Sequence, residues 1–264
     1  MLIIGELINT SRRPVREAVE RRDADYIADL ARRQVEAGAD YLDVNCGTLG
    51  VLEAEAMVWL AGVVKGMAPL CIDSPDPRVL EAGLACAGEG PPMINSLSAE
   101  KERFAAVLPL VRKYGARVVA LAMDDNGLPN TAADRIGIVR RLVEDLTAAG
   151  VAPSDIYIDP LVKPVGVEDG AGAAVLETVR FVRERYPQTH TVCGLSNVSF
   201  GLPNRRTLNR VFLVQTMTAG MDAHILDPLD RTLMGIYWAS RALLGQDPFC
   251  ERYLKAHRSG LYES

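Results

Sequence analysis

The chain has 264 residues, a net charge of −5, 48% hydrophobic residues and 24% charged ones. That balance suits a soluble globular protein and excludes broad binding to nucleic acid, which needs clustered Lys and Arg. No run approaches the roughly 20 apolar residues that span a bilayer.

The first element is Leu2–Asn9. Its lead, Met1-Leu2-Ile3-Ile4-Gly5-Glu6, lacks basic residues and soon meets an acid, so it reads as a strand and not as a signal peptide. Seven further short apolar runs also end in acids, amides or hydroxyls: Tyr41–Asn45, Leu70–Asp73, Met93–Asn95, Val118–Asp124, Ile156–Asp159, Thr191–Asn197 and Ala223–Asp227. A helix-length stretch follows each one.

Helix signals fill the gaps. Ala37-Gly38, Tyr114-Gly115, Ala149-Gly150 and Ala219-Gly220 are helix stops, since Gly accepts the left-handed conformation that closes a helix. Asp76-Pro77 is a start, with Asp as cap and Pro where its missing N–H costs nothing. Glu100 to Tyr114 carries Phe104, Val107, Leu108 and Val111 at helical spacing. Asp125–Asn130 and Lys163–Gly172 are longer than a turn requires and suit lids, docking surfaces or plain solvated loops. Arg231 to Leu244 completes the eighth unit, leaving a tail to Ser264 that packs across the barrel or frays.

Eight strand–helix units in one chain of this length predict a single α/β domain over 1–264, a (β/α)8 TIM barrel. Its site then forms at the C-terminal strand ends, where Glu6, Asn9, Asp43, Asn45, Asp73, Asn95, Asp159, Ser196, Asn197 and Asp227 converge.

Cys46, Cys71, Cys86, Cys193 and Cys250 are odd in number and form no Cys-x-x-Cys pair, which points to reduced thiols and a cytoplasmic location. Free Cys near strand ends usually behaves as a small buried hydrophobe. His190, His224 and His257 have no metal-ligand spacing and none ends a strand, so no metal ligand is assigned. A mouth of Asp, Asn and Ser suits a planar, donor-rich heterocycle such as a pterin edge, because a carboxylate accepts two parallel N–H bonds. Several carboxylates also suit a divalent cation. Composition does not separate the two.

Gly5-Glu6-Leu7-Ile8-Asn9, Asp40 to Asn45, Cys71-Ile72-Asp73-Ser74, Met93-Ile94-Asn95-Ser96, Tyr157-Ile158-Asp159-Pro160 and Gly194-Leu195-Ser196-Asn197-Val198-Ser199 occur in this order at barrel spacing. The ordered set resembles the pterin-binding methyltransferases that move a methyl group between methyltetrahydrofolate and a corrinoid protein. The resemblance implies that Asp73, Asn95 and Asp159 hold the pterin, with Gly194 and Ser196 beside them. It makes Asn197 the catalytic hydrogen-bonding partner of folate N5. Arg205 then meets the folate tail or the corrinoid, with Arg206 and Lys163 as weaker candidates. Glu6, Asn9, Asp43 and Asn45 buttress the pocket from behind. Tetrahydrofolate or 5-methyltetrahydrofolate is the implied substrate, and the corrinoid (cobalamin) comes on a partner protein, since no Asp-x-His-x-x-Gly signature is present. A homodimer is also implied.

Dihydropteroate synthases share the barrel and the Asp and Asn strand ends, so a pterin condensation is the enzyme alternative. Their Asn-rich loop after strand one and Ser-Arg-Lys end of strand seven are replaced here by Thr10-Ser11 and Ser196-Asn197-Val198. A silent pterin- or corrinoid-protein-binding module is the alternative from another class. Leu7 and Phe200 depart from the methyltransferase pattern, which commonly has Arg and a polar residue there.

Overall fold

The computed structural model describes residues 1–262. Eight strands form one parallel sheet: β1 (Leu2–Asn9), β2 (Tyr41–Asn45), β3 (Leu70–Asp73), β4 (Met93–Ala99), β5 (Arg117–Asp124), β6 (Ile156–Asp159), β7 (His190–Thr191) and β8 (Ala223–Leu226). Neighbours pair in the order β7-β6-β5-β4-β3-β2-β1-β8. The ring closes beyond β7, where the Ile225 N–H donates to the Cys193 carbonyl at 2.9 Å and Gly194 bridges to Ile225. The chain is a single (β/α)8 barrel.

Ten helices cover it among the described residues: α1 (Arg13–Glu20), α2 (Ala24–Glu36), α3 (Glu53–Val64), α4 (Pro77–Cys86), α5 (Lys101–Tyr114), α6 (Ala132–Ala148), α7 (Ala171–Arg185), α8 (Arg205–Ala219), α9 (Arg231–Leu243) and α10 (Glu251–Arg258). Their starts and stops follow local chemistry. Asp76 accepts from the Arg78 N–H at 2.9 Å ahead of Pro77, and Thr131 and Asp134 cap α6 reciprocally. Gly38, Gly115, Gly150 and Gly220 all have positive φ, which only glycine adopts freely.

One expectation needs correction. Strand seven is not Thr191–Asn197: it ends at Thr191, and Leu195–Ser199 curls into a 3-10 turn. Of the two courses open to the tail, its described part, to residue 262, takes the packed one, on the outer helix layer. It forms α10, which packs on α9 and is pinned by the Tyr262 hydroxyl donating to the Gly235 carbonyl at 3.2 Å. One stretch, Gly47–Val64, does have the length and hydropathy of a membrane-crossing helix (mean hydropathy 1.4 over 18 residues). It is two helices broken at Gly50, and α3 packs on α4 with Met57, Leu60, Ala61 and Val64 buried.

Helix–strand packing is close at Gly83 on α4. A Cβ there would stand 2.7 Å from Ile72 Cγ2 and 2.9 Å from Met57 Cγ. Gly83→Ala is therefore expected to destabilise the fold by about 1–3 kcal/mol, the usual cost of overpacking. A lowered urea midpoint at unchanged m-value is the check, and an unchanged midpoint would contradict this packing.

Inside the barrel, each strand contributes one side chain to a plug: Ile4, Tyr41, Cys71, Met93, Val119, Tyr157, Val192 (just past β7) and Ala223 are buried in one cluster. Access to the interior is therefore from the C-terminal side.

Candidate active site

Side chains in a strand alternate between faces, so the residue two beyond each plug residue also points inward, one layer nearer the mouth. Those residues are Glu6, Asp43, Asp73, Asn95, Leu121, Asp159, Gly194 and Ile225, and all but Leu121 line one cavity of about 560 Å³. The polar strand ends are thus the barrel layer directly above the apolar plug. Asn9, Ser11, Arg12, Ser196, Asn197, Phe200 and Arg205 complete the wall.

Glu6 and Asn9 are three residues apart and would face opposite ways in a regular strand. A register shift between Gly5 and Ile8 resets the alternation. Within it, the Leu7 N–H leaves the ladder and donates to the buried Gln34 side chain of α2 at 3.0 Å. Gly5 makes room for that side chain, since a Cβ there would lie 2.5 Å from Gln34 Oε1.

The carboxylates are poorly compensated. Asp159 accepts one hydrogen bond, from the Leu161 N–H to Oδ1 at 2.8 Å, and burial lifts its pKa to about 7. Asp73 accepts from Asn45 Nδ2 at 2.8 Å, yet burial still lifts it to about 6. Asp43 is raised well above the usual carboxylate range by burial and by the charge of Asp73 beside it. Burial also raises Glu6, against the pull of Arg12, which donates to it at 3.1 Å. Carboxyl groups held this way want N–H donors that the chain does not supply.

The seventh strand end differs. The 3-10 turn buries Leu195 and Val198 and leaves Asn197 exposed toward the cavity. Its neighbours are committed: Ser196 donates to Glu6 at 3.4 Å and Ser199 to Asn209 at 2.6 Å. The Asn197 amide is uncommitted. Gly194 gives it space, since a Cβ there would stand 3.0 Å from Asn197 Nδ2. Arg205 reaches back from α8 to Ser199 Oγ at 3.1 Å and the Ser196 carbonyl at 2.8 Å, with its guanidinium 5.6 Å from the centre of the Phe200 ring.

The expected site residues therefore meet in one place, with refinements. Glu6, Asn9 and Asp43 belong to the cavity wall itself and do not sit behind it. Only Asn45 stands behind, bonded to Asp73 and to the Gly47 N–H at 3.1 Å. Asp227 is off the wall and caps the Leu229 N–H at 2.9 Å. Arg12 and Arg103 were not anticipated. Arg103, from α5, donates to the Ser74 carbonyl at 2.9 Å and the Ser96 carbonyl at 3.0 Å, tying together the strand ends that carry Asp73 and Asn95. Neither long loop lines the cavity, but Lys163 joins them, donating to Asn130 at 3.3 Å and Glu168 at 2.6 Å.

Cys46 and Cys193 are buried with raised pKa values, Cys46 to about 12, as expected of inert thiols. His190 bonds Asp222 at 2.7 Å and stacks on plug residue Tyr157, and buried His224 is pushed down to about 4. Neither faces the cavity.

The sequence matches the family of pterin binding enzymes over residues 5–227. A methylcorrinoid:tetrahydrofolate methyltransferase of Eubacterium limosum is 38% identical over 264 residues, covering 98% of this chain and 97% of that protein. A methionine synthase of Mycobacterium tuberculosis is 36% identical over 242 residues, which are 86% of this chain but 20% of that protein. Among solved structures, the Xanthomonas albilineans dihydropteroate synthase in complex with 7,8-dihydropteroate superposes with a TM-score of 0.69 at 17% identity. It covers 91% of this chain and 94% of its own. At that identity the likeness speaks for the fold alone.

Proposed function

The chain belongs to the pterin binding enzyme family, and from that premise we propose that its 1–264 barrel is a methyltransferase working between a methylated corrinoid and N5 of tetrahydrofolate. The observation that carries this reading is the pair of under-compensated carboxylates Asp73 and Asp159, with Asn95 on the same wall, around a cavity also lined by Asn197. Full-length similarity to a relative named for this reaction supports it, and that name also gives the direction, from methylcorrinoid to tetrahydrofolate.

Asp73, Asn95 and Asp159 take the N–H edge of the pterin. Methyl transfer is a direct displacement: the N5 lone pair forms the new N–C bond while the cobalt–carbon bond breaks and leaves its electron pair on cobalt. N5 becomes cationic and must then lose its proton. The Asn197 amide oxygen accepts a hydrogen bond from that N–H as charge develops, and its Nδ2 serves N5 in the reverse direction. An amide does not hold the proton itself, so water carries it away.

The corrinoid arrives on a separate protein. It docks at the mouth, where the strand-end loops expose Val51, Leu52, Val167 and Phe200.

The test is a spectrophotometric assay with methylcobalamin plus tetrahydrofolate, and with cob(I)alamin plus methyltetrahydrofolate. Turnover in either pair supports the reading. Absence of tetrahydrofolate binding by calorimetry would overturn it.

Binding should depend on pH. Asp159 accepts the ligand's N–H bonds only when ionised, so the ligand lowers its pKa from about 7 and binding releases a proton. Affinity is expected to rise with pH up to about 7, with a slope approaching tenfold per unit, and to level off above. Calorimetry from pH 5.5 to 8.5 checks this, and Asp159→Asn should flatten the profile between about pH 6 and 7, leaving below it the dependence due to Asp73, whose pKa is about 6.

A further inference from the structure

Arg135 is fully buried in the first turn of α6, among the largest side chains without solvent contact. A buried cation is costly unless paired, and a helix N-terminus disfavours it further. Yet among the described residues no carboxylate bonds it, although the charges of Glu168 and Asp134 lie near enough to favour it. Its donors go to three main-chain carbonyls: Nε to Pro160 at 2.9 Å, Nη1 to Thr131 at 3.1 Å and Nη2 to Leu161 at 3.4 Å.

Two of these carbonyls flank the turn that ends β6. There Leu161 has φ +60, a left-handed conformation unfavourable for a residue with a side chain. That conformation accompanies the single bond orienting Asp159, from the Leu161 N–H. The turn is thus held from outside the barrel by a guanidinium whose planar fork suits divergent carbonyls, a geometry that lysine's single ammonium does not reproduce.

We propose that Arg135 is a positioning residue for Asp159: it holds the Asp159-Pro160-Leu161 turn so that one carboxylate oxygen is fixed and the other presented to the ligand. The consequence for binding rests on the functional reading above, whereas the clamp itself does not depend on any ligand.

The experiment has two arms, using Arg135→Met, with Arg135→Lys in its place should the methionine variant not fold. In the ligand-free arm, hydrogen exchange of the Leu161 amide is expected to quicken at least tenfold in the variant while β5 amides stay protected. Unchanged protection at Leu161 would overturn the proposal. In the second arm, tetrahydrofolate binding is measured by calorimetry in the variant, in Asp159→Asn and in the double variant. A loss of about tenfold is expected for the Arg135 variant alone, and nearly none when Asp159 is already replaced, since coupled residues do not add. Equal losses in both backgrounds would mean that Arg135 acts elsewhere, and would also overturn the proposal.

Adding Leu161→Gly to the Arg135 variant should recover most of the lost affinity, because glycine takes the left-handed turn unaided. A further loss would again count against the clamp. Should the wild-type chain bind no tetrahydrofolate, the functional reading fails, and the exchange arm still decides the clamp.

Discussion

Asp159→Ala is expected to weaken tetrahydrofolate binding roughly 10- to 150-fold, the equivalent of about 1.5–3 kcal/mol for hydrogen bonds to a charged group. The loss should be this large because the carboxylate has little else to do. Its only side-chain bond among the described residues is to the Leu161 N–H, and burial lifts its pKa to about 7. Calorimetry at pH 8, where the group is ionised, is the measurement; unchanged affinity would remove Asp159 from the pocket.

The same residue should make the ligand-free protein less stable. The unfolded chain releases this proton near the ordinary Asp pKa of about 3.9, and the folded chain near 7. Between these values the folded state binds more protons, so stability falls as pH rises through that window and stays reduced above it. Asp159→Asn, which keeps an oxygen for the Leu161 N–H, is therefore expected to melt higher than the wild type at pH 8. The advantage should vanish near pH 4. A wild-type-like melting temperature at pH 8 would argue against the raised pKa.

Asn197→Ala is expected to lower kcat on the order of 10²-fold while changing tetrahydrofolate affinity little. Removing one preorganised polar group at a site of developing charge costs about that much. The split follows from the proposed pose: there the ring edge meets groups on β3, β4 and β6, whereas Asn197 stands on the separate turn after β7, its amide without a hydrogen bond among the described residues. Steady-state kinetics with methylcobalamin, beside calorimetry, separate the two effects. A loss confined to affinity would sink the assignment to N5.

Much of this site was legible in the chain because a parallel barrel writes its mouth in a simple code. Each strand is a short apolar run, and on five of the eight the inward residue two beyond the plug is polar: Ile4 then Glu6, Tyr41 then Asp43, Cys71 then Asp73, Met93 then Asn95, Tyr157 then Asp159. Where that code is interrupted, the residues were still placed at the mouth, but the backbone that brings them there was not legible. Val192, Cys193 and Leu195 look like a continuing strand, but the turn from Leu195 folds the polar pair Ser196-Asn197 out of the ladder. The shift between Gly5 and Ile8, which brings Glu6 and Asn9 to one wall, depends on Gln34 from a helix that folds back later. Arg103 and Arg135 were invisible for another reason. An arginine in the first turn of a helix has the same local pattern whether it reaches water or a neighbouring strand end.

The short seventh strand has a mechanical consequence. Where the other strands share longer ladders, the ring is fastened beyond Thr191 by the Val192 N–H to the Ile158 carbonyl, the Ile225 N–H to Cys193 and the bridge at Gly194. That seam is the place where the barrel should open first, and amides of residues 193–197 should exchange with solvent sooner than those of β4 and β5. The residue proposed to face the moving methyl thus stands next to the shortest ladder of the ring. In the pose proposed above, the ring-binding groups sit on strands with fuller ladders, and the Asn197 turn is expected to be the part that adjusts as N5 passes from secondary to tertiary amine.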